Sequence, residues 1–179
     1  AVFNDDIRDG IKGSFKDDVM RGFATGDTTL DESVKFGIVA ATSHPQINYG
    51  KVNYSSAPYS VHPYQSINYV SSHDDLNLVD KLQISNPDAS QEDLLKYDKL
   101  AQTIVFTSQG VPFMFNGEEV FRSKKGVHNS FQSPDSINKI NWTNKSIYKD
   151  LYTYYKALIS LRKNHPAFRM QRTEDIQEK

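Results

Sequence analysis

The sequence contains no cysteine, which excludes disulfide bonds, thiol nucleophiles and cysteine-based zinc sites. It also lacks any run of about 18 apolar residues, so no segment is predicted to span a membrane. Neither sign of charge dominates, because 21 Lys and Arg residues are balanced by 22 Asp and Glu residues. Nucleic-acid binding requires a basic surface and is therefore not expected. These absences do not fix the compartment, so extracellular, cell-surface and cytoplasmic locations all remain open.

Aromatic residues are more common, at 12% of the 179 residues, and many of them stand beside polar residues. The segments 53–56 (NYSS) and 62–64 (HPY) are examples. Such mixed surfaces suit sugars, because a sugar ring has weakly apolar faces and its hydroxyl groups need hydrogen bonds. On composition alone, ordinary tyrosine-rich loops are the simpler interpretation.

Hydrophobic patterning predicts alternating strands and helices. The strands are expected at residues 2–3, 66–72 and 111–115, and the helices at about 6–13, 31–42, 90–110 and 147–161. This order favours parallel βαβ units and an α/β fold. The units fall short of the eight that close a TIM barrel of about 250 residues. We therefore expect an incomplete barrel and a chain that is part of a larger protein.

The strongest local signal is a hydrophobic strand that leads directly to His73 and Asp74. In parallel barrels the active site lies at the carboxyl ends of the strands, where these two side chains are expected. An imidazole donates hydrogen bonds to sugar hydroxyls, and a carboxylate stabilises positive charge on a reacting sugar ring. Spacing alone does not separate this interpretation from a pair that only caps the following turn.

Four stretches resemble one enzyme family. Residues 67–80 (INYVSSHDDLNLVD) resemble the motif after the seventh barrel strand of α-amylase-clan glycoside hydrolases. In the type I pullulanases this motif carries His-Asp-Asn followed by Leu and Asp. Residues 3–13 and 107–119 are similar to pullulanase strands six and eight, and residues 128–142 to the loop after strand eight. The stretches occur in this order along nearly the whole chain.

The resemblance implies the C-terminal portion of a TIM (β/α)8 barrel, from about strand 6 to helix 8. Residues 1–165 would form this portion, and residues 166–179 would begin a linker toward a C-terminal β-domain. The implied activity is hydrolysis of α-1,6-glucosidic linkages in pullulan and branched α-glucans, with the glucan as binding partner. Retaining enzymes of this kind use two carboxyl groups about 5–5.5 Å apart. In the family these follow strands four and five, upstream of Ala1, so the isolated chain is expected to be inactive.

The resemblance also assigns roles to residues of this chain. Asp74 would stabilise the transition state, and His73 would hydrogen-bond the same sugar. Asp135 matches a substrate-binding Asp after strand eight, Lys139 stands where a basic residue, usually Arg, assists it, and Asn129 would face the groove. A solvated loop lysine is an equal alternative for Lys139. No cofactor is implied, and although calcium occurs in many relatives, the sequence shows no ligand set for it.

Some positions depart from the family or invite another interpretation. Asp75 replaces the usual Asn, and residues 76–79 replace a more polar, Trp-containing continuation. The adjacent Glu118 and Glu119 are expected to be one structural and one solvated residue, because neighbouring side chains at a strand end point to opposite sides. The alternatives to a pullulanase are an isoamylase, an α-1,4 amylase and a non-catalytic glucan-binding protein.

Overall fold

A sheet of three short parallel strands lies at the centre of the computed structural model, which describes residues 1–179. The strands are β1 (Val2–Phe3), β2 (Ser66–Asn68) and β3 (Val111–Pro112), in that spatial order. The ladder is shorter than the predicted strands because both neighbours of β2 stop early. Asn4 already caps a helix, and on the other side the last bond runs from the N–H of Phe113 to the carbonyl of Asn68 at 2.8 Å.

The chain also forms eight α-helices. They are α1 (Asp5–Lys12), α2 (Asp31–Ile38), α3 (Leu78–Ser85), α4 (Gln91–Thr107), α5 (Asp135–Asn138), α6 (Asn144–Ile147), α7 (Lys149–Asn164) and α8 (Thr173–Gln177). Short 3-10 turns occupy Phe23–Thr25, Thr28–Leu30, Tyr49–Lys51, Pro63–Gln65, Glu118–Val120 and Pro166–Phe168. No helix combines the length and the apolar character that crossing a bilayer requires.

Two helix starts follow from local capping and lie close to the predicted starts at residues 6 and 90. The Asn4 side chain accepts a hydrogen bond from the backbone N–H of Ile7 at 3.2 Å and begins α1. The Ser90 hydroxyl accepts from the N–H of Asp93 at 3.1 Å and begins α4. Both contacts satisfy N–H groups that have no partner inside the helix. Gly13 ends α1 with a φ of 93°, a conformation that glycine adopts without steric cost.

Three predicted segments differ from the structure. Helix α2 ends at Ile38 rather than near residue 42, because Ala40 and Ala41 adopt left-handed backbone angles (φ 58° and 55°). Helix α3 was not predicted, although Asn77 caps it and Leu78, Val79 and Leu82 are buried along it. The predicted polar loop 121–146 contains α5 and the start of α6.

The main hydrophobic core is formed mostly by residues of α1, α3, α4 and α7, together with Val70, which follows β2. Beside it, the buried Asn68 connects three segments. Its side-chain amide donates to the carbonyls of Gly37 (2.8 Å) and Gln109 (3.0 Å), and its side-chain oxygen accepts from Asn4 (3.3 Å). A smaller apolar cluster includes Phe36 and Ile176 and packs α8 against α2.

The sheet has an unpaired edge on each side, because β1 and β3 each pair only with β2. Apolar side chains are exposed on these edge strands: Val2 is 58% exposed, Phe3 44% and Val111 41%. The molecule described by residues 1–179 is thus a small α/β domain with three parallel strands and two open edges.

Candidate functional site

The chain that follows β2 is buried and then emerges at the predicted His-Asp pair. Tyr69, Val70 and Ser71 are buried, whereas the side chains of His73 and Asp74 are 80% and 63% exposed. Nε2 of His73 lies 3.2 Å from Oδ1 of Asp74. The structure therefore places both groups on the surface at the carboxyl end of the central parallel strand.

A network of charged and phenolic groups fixes the beginning of this segment. The Tyr69 hydroxyl donates to Oδ1 of Asp5 at 2.6 Å and accepts from Nη1 of Arg8 at 2.8 Å. Nε of Arg8 in turn donates to Oδ1 of Asp9 at 2.6 Å. Burial is the main cause that raises the pKa of the Tyr69 hydroxyl. This hydroxyl therefore stays protonated and can donate a hydrogen bond. These contacts attach the chain after β2 to the first turns of α1.

The chain after the His-Asp pair is held by its own contacts. Asp75 adopts a left-handed backbone conformation with a φ of 59°. The buried ammonium of Lys12 donates to the carbonyl of Leu76 at 2.8 Å. The Asn77 side chain accepts from the N–H of Asp80 at 3.0 Å and caps α3. This Asn, which the sequence analysis did not single out, thus turns the chain from the site into a helix.

The other three predicted site residues lie on the loop after β3. Asp135 is the first residue of α5, Lys139 follows its end, and Asn129 precedes it. All three are exposed. Asp135 and Lys139 form no ion pair with each other or with Asp74. The charges of Asp135 and Lys139 are therefore not paired with each other or with the charge of Asp74.

Lys139 lines a surface cavity of about 310 Å³ whose wall also contains Arg122, Lys125 and Asn141. Neither His73 nor Asp74 lines it. The cavity therefore belongs to the loop after β3 and does not by itself join the predicted site residues into one pocket.

Three consecutive residues, Arg122, Ser123 and Lys124, connect this loop to the His-Asp segment, and the sequence analysis missed all three. Arg122 donates to the carbonyls of Asn116 (2.9 Å) and Asn138 (2.6 Å), which holds the end of α5 against the chain after β3. Asp80 accepts from the Ser123 hydroxyl and, at 2.7 Å, from the N–H of Lys124.

Lys124 makes the direct connection between the two predicted parts of the site. Its ammonium donates to the carbonyl of His73 at 3.0 Å and to the carbonyl of His128 at 3.4 Å. On the opposite side, the His128 ring nitrogen Nε2 lies 2.8 Å from Oδ2 of Asp18. In the sequence, only Asp80, the last residue of the matched motif, could have pointed to these three residues. Its partners Ser123 and Lys124 lie more than 40 positions away along the chain.

Glu118 and Glu119 do not form a catalytic pair. Glu118 is buried and accepts from the N–H of Phe115 (3.0 Å) and from Gln102 Nε2 (3.1 Å). Burial raises the pKa of Glu118 to about 7. Glu119 is partly exposed and accepts from the N–H of Gly117 at 3.1 Å. Glu118 thus has the structural position expected for one of the two residues, whereas Glu119 is bound to the backbone rather than fully solvated, and both lie in a 3-10 turn rather than at a strand end.

No group of three or more His, Asp or Glu side chains is arranged to hold a metal ion. The residues at the carboxyl end of β2 instead offer an exposed carboxylate, an imidazole and, on the neighbouring loop, a second carboxylate and an ammonium. Such groups form hydrogen bonds to a polyhydroxylated ligand and stabilise a developing positive charge.

No family model matches the chain, but several known proteins are similar to it. The pullulanase of Bacillus subtilis (strain 168) is 39% identical over 177 residues, which is 99% of this chain and 23% of that protein. The crystal structure of pullulanase type I from Bacillus subtilis str. 168 complexed with maltose superposes with a TM-score of 0.91, covering 99% of this chain and 24% of the other. This chain is a homologue of the type I pullulanases.

Two further pullulanase-related proteins extend the comparison. The Paenibacillus barengoltzii pullulanase, solved as a complex with maltohexaose and alpha-cyclodextrin, has a TM-score of 0.90 and 38% identity. It is matched over 99% of this chain and 26% of its own. An isoamylase of Flavobacterium sp is 30% identical over 58% of this chain and 16% of that protein. The chain thus spans about a quarter of the length of the pullulanases that it matches.

Proposed function

We propose that this chain supplies the transition-state-stabilising carboxylate and part of the glucan-binding groove of a debranching glycoside hydrolase. The substrate is a branched α-glucan such as pullulan, and the bond cleaved is an α-1,6-glucosidic linkage. One observation carries the proposal: a chain homologous to pullulanases over 99% of its length presents His73 and Asp74 exposed at the carboxyl end of its central parallel strand.

We further propose that β1, β2 and β3 correspond to strands six, seven and eight of a (β/α)8 barrel. The proposal is supported by the parallel pairing and by the open, partly apolar edges of β1 and β3, since a closed barrel leaves no unpaired edge. In this arrangement residues 1–165 belong to the barrel, and residues 166–179 lead toward a β-domain. The chain's short coverage of its relatives is consistent with a contribution to a larger catalytic domain.

The proposed reaction proceeds with retention at the anomeric carbon. A carboxylate elsewhere in the enzyme attacks this carbon while a carboxylic acid gives its proton to the departing glycosidic oxygen. Water then displaces the carboxylate, and the former acid accepts the proton of that water. Carboxyl groups and water suffice for this chemistry, so it requires no cofactor.

Within this mechanism Asp74 faces the sugar ring that becomes positively charged. Its exposed carboxylate stabilises the oxocarbenium-like transition state, and His73 donates to a hydroxyl group of the same ring. Asp135, Lys139 and Asn129 bind sugar units further along the groove. This role for Asp135 is supported by its exposed position at the start of α5.

An isoamylase-like debranching enzyme is the second candidate, because a Flavobacterium isoamylase matches more than half of the chain. The two candidates share the proposed bond type and differ in the preferred substrate. Pullulan consists of short α-glucan units, whereas glycogen carries longer branches, so the ratio of the two hydrolysis rates separates them.

The proposed function is tested with a chimera in which this chain replaces the homologous segment of the Bacillus subtilis pullulanase. The two segments are 39% identical, and their folds superpose with a TM-score of 0.91, so the replacement preserves the backbone. We expect the chimera to release reducing sugar from pullulan and not from amylose. Cleavage of amylose would move the assignment to an α-1,4 amylase. A folded chimera that binds pullulan without cleaving it would indicate a glucan-binding protein.

A further inference from the structure

Lys124 is an unusual lysine because its side chain is buried within a polar surface loop. The residue is 1% exposed, and its ammonium forms no ion pair with a carboxylate. Removing an ammonium from water is costly, and neutral carbonyl groups compensate for this less than a carboxylate would. Burial accordingly lowers the pKa of the Lys124 ammonium, against the opposing effect of Asp80. Because burying this ammonium costs free energy, we expect Lys124 to have a function that accounts for it.

The two carbonyl groups that accept from Lys124 belong to the peptide units of two candidate site residues. The carbonyl of His73 belongs to the peptide group that begins Asp74, and the carbonyl of His128 to the one that begins Asn129. A single ammonium thus holds the backbone immediately before each of these residues. It does so at distances of 3.0 and 3.4 Å from the two oxygens.

Further contacts hold the segment around Lys124 in place. Its backbone N–H is bound to the carboxylate of Asp80, which lies in the first turn of α3. The preceding Arg122 binds the last residue of α5, Asn138. The imidazole of His128 is held from its other side by Asp18 at 2.8 Å. Lys124 therefore ties the loop after β3, to which it belongs, to the segment that carries His73 and Asp74.

We propose that Lys124 is a positioning residue that sets the distance between the His73–Asp74 segment and the loop carrying Asn129 and Asp135. The proposal rests on the proposed function, because the distance matters only if one glucan chain contacts both segments. Asp74 then acts on the reacting ring while the loop after β3 holds a neighbouring ring. Displacement of a reacting group by about 1 Å costs up to about 100-fold in rate, so a lost positioning contact is measurable.

The test compares Lys124→Met and Lys124→Arg with Arg162→Met in the chimera. Arg162 is the matched control, since it is also a buried cation that donates only to backbone carbonyls, those of Phe106, Ser108 and Gly110. It lies beside the start of β3, away from the His-Asp pair. At a temperature where all variants are folded, we expect Lys124→Met to lower kcat on pullulan by about 10- to 100-fold. Lys124→Arg should restore part of the loss, and Arg162→Met should retain the parental kcat.

Hydrogen–deuterium exchange provides a readout that does not depend on activity. In Lys124→Met we expect faster exchange in peptides covering residues 71–77 and 127–133, with neither peptide changed in Arg162→Met. An unchanged exchange rate in both peptides, or a parental kcat in Lys124→Met, would overturn the positioning role. If the chimera with Lys124 intact fails to hydrolyse pullulan, the proposed function is wrong. The exchange rates then show separately whether Lys124 fixes the two segments.

Discussion

The imidazole of His73 lies 3.2 Å from the carboxylate of Asp74, and both residues lie a few positions beyond the end of the only strand that has a neighbour on each side. The backbone around the pair is held by Lys12 and Lys124, which donate to the carbonyls of Leu76 and His73. The side chains themselves are open to solvent. This combination of a fixed backbone and exposed polar groups suits a surface that receives a ligand and other parts of an enzyme.

We predict that the isolated 179-residue chain is inactive, because in the proposed mechanism the nucleophile and the acid lie elsewhere in the enzyme. We expect the purified chain to release no reducing sugar from pullulan under conditions where the chimera is active. The parent Bacillus subtilis pullulanase serves as the positive control. Pullulan hydrolysis by the isolated chain would show that the catalytic groups lie within it.

The left-handed conformation of Asp75 predicts a specific pattern of stability. Asp and Asn tolerate a φ of 59° better than other non-glycine residues, and a β-branched side chain tolerates it worst. We expect Asp75→Val to destabilise the chimera by about 1–2 kcal/mol. Asp75→Asn and Asp75→Gly, which suit the conformation, should remain within about 0.5 kcal/mol of the parent. Thermal unfolding measures the three variants, and equal midpoints for Val and Gly would contradict the observed backbone angle.

The buried Glu118 predicts a pH-dependent stability. Burial raises its pKa from 4.5 to about 7, so the folded protein binds a proton that the unfolded chain releases between these values. The stabilisation is therefore complete below about pH 4.5 and is lost as the pH rises toward 7. At about 1.4 kcal/mol per unit, the loss is on the order of 3 kcal/mol. Glu118→Gln removes this titration.

Thermal midpoints of the chimera at pH 5.0 and pH 7.5 measure this effect. We expect Glu118→Gln to gain stability relative to the parent as the pH rises, and Glu119→Gln, the partly exposed neighbour, to follow the parent. The range stays below pH 8 because burial lowers the pKa of Lys12 to about 8, which adds an opposing titration. A Glu118→Gln variant that tracks the parent at both pH values would contradict a protonated buried carboxyl group.

The features that were predictable from the sequence are those encoded by neighbouring residues. The cap at Ser90 and the glycine that ends α1 depend on contacts within a few positions, whereas the strand predicted before His73 is shorter than expected and ends at Asn68. The role of Lys124 depends on a partner 51 positions away. A lysine in a polar loop normally stays in water, so no local pattern indicated its burial. Helix α3 escaped prediction for a related reason, because its short apolar face is defined by packing.

The activity of the chimera with Asp74→Asn tests the central claim most directly, with Asp75→Asn as the matched control. Both changes replace a carboxylate by an amide of the same shape at adjacent positions. If Asp74 stabilises the transition state, Asp74→Asn should lower kcat on pullulan by about 100- to 1,000-fold, and Asp75→Asn should leave it close to the parental value. If both variants hydrolyse pullulan at the parental rate, Asp74 is not the stabilising carboxylate and the proposed site is wrong.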